Sequence, residues 1–412
     1  MIIQDLIVTP IAFPDPPLLN AAGVHEPLAL RSVVQLVVAG GVVGLGEGWG
    51  ERDVVEAMTC ARDELVGQNV FDLAAVEAAV GRSISARDQG ADTRLQTIVF
   101  APIEVACHDA QGKILGVPVS TLLGGAVRDS VDFSGYLFYK WDRHLGTAAA
   151  PDRWGAALDP AGIVDQARTM IDEFGFRSLK LKAGVFHPDE EAAAIEALAE
   201  AFPGTPLRMD PNGVWSVETS VAIAERLRGT LQYLEDPTMG MAGMSAVAQD
   251  AGIPLATNMC VVGFDQIAEA VRTDAVQIIL SDHHFWGGLR RTRELGVICE
   301  TFGLGLSMHS NSHLGISLAA MTHVAAAMPR IDYACDTHYP WNGEHDILEP
   351  GAIEIRDGAV RVPTGPGLGV ELDEGRLGEL HALYTASGRT HRDDEAYMQA
   401  AQPDFVDVRP RF

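Results

Sequence analysis

The sequence predicts an α/β fold: a βα barrel of the TIM type, preceded by an α+β unit and followed by a tail that returns to that unit. Three observations carry this. From Ser130 onward, short apolar strands alternate with amphipathic helices at a spacing of about two dozen residues, the period of a barrel whose strands are each followed by a covering helix. Before that point, strands come first and helices afterwards, which is the order of an α+β unit. The chain of 412 residues also exceeds one ordinary core. The expected division is residues 1–131, 132–352 and 353–412.

The elements follow in order. The opening MIIQDLIVTPIAF alternates as a first strand, and it lacks the basic stretch before an apolar core that marks a secretory signal. RSVVQLVVAGGVVGLGEG is two apolar runs about Gly40-Gly41, a β-hairpin. VVEAMTCARDELVG and TIVFAPIEVACHDAQGKILG then carry helical periodicity. SGYLFY is the first barrel strand, and SLKLKAG, PLRMDPNG, LQYLEDP, IPLATNM, AVQIILSDHH, GLGLSMHSNS and IDYACDTH are the next seven. Helical patterns such as DEEAAAIEALAEAF and SVETSVAIAERLRG lie between them. The tail offers a second hairpin, AIEIRDGAVRVP, and a helix, EGRLGELHALYTASG.

Composition narrows the function. A formal net charge of −26 disfavours nucleic acid and anionic membrane surfaces as partners. No run of about 18 apolar residues is long enough for a membrane span. Five scattered cysteines with no CxxC spacing point to reduced thiols and a cytoplasmic setting. An acidic substrate would need a local positive site to approach so negative a chain.

Polar residues end nearly every barrel strand, and a βα barrel gathers its active site at those C-terminal ends. Lys180 and Lys182 share one face of the second strand, Asp210 ends the third, Glu235 the fourth and Asn258 the fifth. Asp282 ends the sixth, His309 the seventh, and Asp336 and His338 the eighth. Singly, each has an ordinary explanation. Two lysines can guard a solvated edge strand, Asp-Pro and Asn-Gly make turns, and Asn caps helices. Together, at corresponding strand ends, they make a site. Asp, Glu and Asn form an all-oxygen ligand set, which selects a hard cation such as Mg²⁺. The lysines stand on one side of it, and His309 lies across the mouth beside Asp282, a carboxylate that fixes the imidazole tautomer.

These motifs resemble the enolase superfamily. KLKAGV, MDPNGVW, LEDP, TNM, DHHFWGG, HSNSHLGISLAAMTH and DTH, with LLNAAGVH near the start and RDDEAYM near the end, resemble its glucarate dehydratase group. The resemblance implies a modified (β/α)7β barrel with an α+β N-terminal capping domain completed by the C-terminal tail. It implies Mg²⁺ on Asp210, Glu235 and Asn258, and Lys182 and His309 as bases, the latter oriented by Asp282. Lys180 would face the substrate carboxylate and favour a neutral amine at Lys182. His25, Thr97, Tyr136, Lys180, Asn212, Ser310, Asn311, His338 and Arg392 match positions that hold an acid sugar. The implied activity is dehydration of an aldarate to a 2-keto-3-deoxy sugar acid, with epimerisation, another acid sugar or non-catalytic binding as alternatives. A homo-oligomer is the expected assembly. Two positions depart from the family pattern: His283, where Pro is common, and Met241, where many members carry an acid.

Overall fold

The computed structural model describes residues 1–87, 93–146 and 152–412. The N-terminal unit begins with a three-stranded antiparallel sheet, Ile3–Pro14, Leu28–Val38 and Val42–Trp49. Its hairpin turns at Gly40 and Gly41, whose φ angles of 95° and 80° favour residues without a Cβ. Three helices follow, Arg52–Leu65, Leu73–Arg87 and Thr93–Leu115. The last lies directly on the strand Val42–Trp49. A Cβ on Gly44 or Gly46 would sit 2.0 Å from the carbonyl oxygen of Ala106 or Pro102, so the GLGEG alternation is what lets helix and strand touch.

Eight parallel strands form the barrel: Ser130–Phe138, Leu179–Lys182, Leu207–Asp210, Leu231–Glu235, Leu255–Thr257, Ile278–Ser281, Gly305–Met308 and Cys335–Thr337. Consecutive strands pair from first to seventh, and the eighth pairs with the first through Thr337 and Gly135. Asp332 N donates to the carbonyl of Leu306, linking seventh and eighth. The register sets Phe138, Lys182 and Asp210 side by side, so the polar strand ends share one rim.

Local chemistry fixes the helices between. Asp159 caps Pro160–Phe174 by accepting from Gly162 N at 2.8 Å, Pro160 opens the helix, and Gly175 closes it at φ 72°. Helix Gly315–Ala327 is buried at every position, wedged between barrel and cap, and so carries no amphipathic stripe. Among the described residues, no helix is long and apolar enough to cross a membrane.

The tail divides. The hairpin Ile355–Arg356 and Ala359–Arg361 stays with the barrel, pairing antiparallel with Ser130–Asp132. Those residues precede the ladders to the neighbouring strands and offer a free edge. Helix Glu374–Ser387 then reaches the N-terminal sheet, where His381 donates to the carbonyl of Pro10.

Candidate active site

All four residues of the second barrel strand are buried, which rules out the solvated-edge explanation of its lysines. Lys180 Nζ lies 2.6 Å from both Asp336 Oδ2 and Glu235 Oε2, and 3.9 Å from Asp210 Oδ2. Burial works against its charge, but Asp336 and then Glu235 outweigh that and hold its pKa well above the ordinary lysine value. Lys182 Nζ sits 2.6 Å from Asp210 Oδ2. The two lysines share a face and differ in neighbours: Lys182 lines the cavity, whereas Lys180 is sealed beneath it.

Asp210 and Glu235 converge on Lys180 from adjacent strands. Burial alone would raise the Asp210 carboxyl, and Lys182 and Lys180 hold it below the usual range. Glu235 goes the other way, pushed well up by burial and by Asp210 and Asp336 despite Lys180. Glu235 Oε1 is buried with no hydrogen-bond partner, and Oε2 has only its ion pair with Lys180. Such an orphaned acceptor, between an aspartate and an asparagine, fits a hard cation. Asn258 is placed by Asp236, which adopts φ 35°, accepts from Asn258 N at 2.8 Å and holds Thr257 Oγ1 at 2.5 Å. Asn212, at φ 58°, donates its N–H to Asp210 Oδ1 at 2.9 Å.

Across the mouth, His309 Nδ1 lies 3.2 Å from Asp282 Oδ2. A carboxylate only accepts, so Nδ1 carries the proton and Nε2 keeps a lone pair for chemistry. Asp282 also accepts from Asn311 Nδ2 at 3.0 Å and from His284 N and Nδ1 at 2.9 and 2.8 Å. Burial would raise its pKa; His284 first and His309 next hold it well below the carboxylate range. Asp282, His283 and His284 form a tight donor cluster. Both Asp282 oxygens and both His284 ring nitrogens are already engaged in hydrogen bonds, so that cluster is scaffold. His283, which replaces the expected Pro, lies against His284 with ring centroids 3.9 Å apart and tilted by 36°, and burial pushes it well below the ordinary histidine value.

Lys182 and His309 line one cavity of about 280 Å³. His25, Tyr136, Asn212, Ser310, Asn311, His338 and Arg392, all candidates from the sequence, line it too. Asp15 ties the far end together, 3.1 Å from His25 Nδ1 and 3.0 Å from Arg392 Nη1. Ser310 Oγ lies 2.9 Å from His338 Nδ1. Thr97 is not brought here: its hydroxyl donates to the Thr93 carbonyl within its own helix, and it borders a separate cleft. Arg31, Trp49 and Glu51 line the cavity and were not singled out in the sequence. Their signal lies in pairings between units, which no local pattern carries. Lys182 and Arg392 put basic side chains on the cavity wall.

Two family models match the chain: the mandelate racemase / muconate lactonizing enzyme N-terminal domain over residues 8–124, and the enolase C-terminal domain-like family over residues 162–376. A probable glucarate dehydratase of Streptomyces coelicolor is 52% identical, over 97% of this chain and 96% of its own. The structure of an enolase from Mycobacterium smegmatis complexed with tartrate is 55% identical at a TM-score of 0.96, covering 100% of this chain and 98% of that one. An enolase from Thermobispora bispora complexed with magnesium and formate is 52% identical at 0.97, with 100% of both chains covered.

Proposed function

Because this chain belongs to the enolase superfamily, with the N-terminal domain of the mandelate racemase and muconate lactonizing enzymes, we propose that it is an Mg²⁺-dependent acid-sugar dehydratase of the glucarate dehydratase kind. The observation that carries this reading is the pair of potential bases, Lys182 and His309, lining one small cavity above an all-oxygen donor set.

Asp210, Glu235 and Asn258 would hold the ion. When bound, Mg²⁺ stabilises the negative charge that grows on the substrate carboxylate as the adjacent proton leaves. Lys182 takes that proton from one face, and His309 Nε2 takes it from the other. Where His309 has taken the proton, the imidazolium it becomes, balanced by Asp282, passes it to the departing β-hydroxyl, which leaves as water. The enol left behind becomes a 2-keto-3-deoxy acid. Arg392 and His25 at the far end of the cavity suit a second carboxylate, which favours an aldarate over an aldonate. Epimerisation at the same carbon is a second outcome, since the two bases stand on the second and seventh strand ends.

The test is a panel of aldarates and aldonates incubated with Mg²⁺ and assayed for keto acid. At least one diacid should be dehydrated, and chelator should stop the reaction. Turnover of none, or full activity in excess chelator, would contradict the proposal.

A further inference from the structure

We propose that Arg31 is a positioning residue for His309: its guanidinium holds Asn311 and His284, two of the side chains that grip Asp282, and so fixes the base from the capping unit. The proposal rests on the reading of His309 as the base of one face.

Arg31 lies on the strand Leu28–Val38 and is 1% exposed. Its Nε donates to Glu47 Oε1 at 3.0 Å, Nη1 to Asn311 Oδ1 at 3.2 Å, and Nη2 lies 3.0 Å from His284 Nε2. Glu47 is itself fixed, accepting from Leu314 N and Ser317 N at 2.9 Å each, at the start of the buried helix. The guanidinium is thus anchored on one side and reaches Asp282 by two arms on the other.

A guanidinium has donors and no acceptor. Asn311 must therefore turn its oxygen to Arg31, which aims its NH₂ at Asp282 Oδ2, 3.0 Å away. His284 must likewise present a lone pair at Nε2, which leaves its proton on Nδ1 for Asp282 Oδ1 at 2.8 Å. The alternative tautomer has a ready acceptor, because the Glu47 carbonyl and Ser317 Oγ both lie 3.1 Å from His284 Nε2. Arg31 and Asp282 both disfavour it, one from each side of the ring. Without Arg31, Asn311 Oδ1 and His284 Nε2 lose their anchor, and both side chains are held only through Asp282, free to shift with it. His309 would then lose the fixed carboxylate that aims its Nε2. Lys182 is held by Asp210 instead, on the second strand.

The experiment compares Arg31→Met, and Arg31→Met with Glu47→Gln, against wild type and His309→Asn. The double variant removes both charges of the buried pair, so no lone carboxylate is stranded. Solvent deuterium incorporation at the α-carbon is read for the two aldarate epimers that present their hydrogen to opposite faces, with kcat and KM for dehydration. The expected result is that His309-side exchange and kcat fall by about 100-fold or more, while Lys182-side exchange and KM stay within about threefold. Arg31→Lys, with the charge but not the planar fork, should fail to restore the lost route. Equal loss on both faces, or a raised KM with unchanged kcat, would overturn the proposal, marking Arg31 as a fold or substrate contact. If His309→Asn does not separate the two faces, the underlying assignment of bases fails, and the role of Arg31 falls with it.

Discussion

Lys180 and Lys182 are alike in the sequence and unlike in the fold. Lys180 neutralises Glu235 and Asp336 inside the barrel, so Lys180→Met strands two buried carboxylates and should cost about 3–5 kcal/mol of stability. Lys182 borders the cavity and has one partner, so Lys182→Met should cost less and act mainly on rate. Denaturant unfolding of the two variants checks the difference. Glu235→Gln keeps the shape but removes the charge. Mg²⁺-dependent turnover should fall by at least about 100-fold with little change in unfolding midpoint, as followed by calorimetric Mg²⁺ titration and thermal denaturation. Strand-end residues were legible because a barrel's period assigns them all to one rim. Arg31, Glu47, Asp236 and His284 were not, because their roles rest on hydrogen bonds that cross between units or turn a loop back on itself. Thr97 shows the converse: a residue matching by alignment position spends its hydroxyl on its own helix.

At the level of elements, the glycine alternation on Val42–Trp49 does what no hydrophobic pattern announces. It brings the helix Thr93–Leu115 against the strand and turns Glu47, between Gly46 and Gly48, toward the barrel. Gly46→Ala drives a Cβ into the Pro102 carbonyl and should cost about 1–3 kcal/mol or more, measured by denaturant unfolding. The hairpin in the tail was readable as a hairpin, but its partner was not. It pairs with the overhanging start of the first barrel strand, an edge that exists only once the barrel has closed. Helix Gly315–Ala327 gave no amphipathic signal for the physical reason that both of its surroundings are protein.

Across the whole molecule, cap and barrel are joined through buried polar groups whose protonation matters. His323, on that same helix, accepts from Ser120 N at 3.2 Å through Nδ1 and lies 3.0 Å from the Leu368 carbonyl through Nε2. Burial pushes its pKa down to about 4. The unfolded chain binds this proton near pH 6.5 and the folded chain does not, so stability present above pH 6.5 is lost as pH falls toward 4, by about 3 kcal/mol in the limit. His323→Gln should flatten the pH dependence of unfolding in that window by about one proton.

The proposed mechanism turns on two bases facing one carbon, and solvent isotope exchange addresses it most directly. With Mg²⁺ and a dehydrated aldarate in deuterium oxide, Lys182→Ala should abolish α-proton exchange for the epimer presented to the lysine face. His309→Asn should spare that exchange and block dehydration. Retention of near wild-type exchange and dehydration in both variants would contradict it.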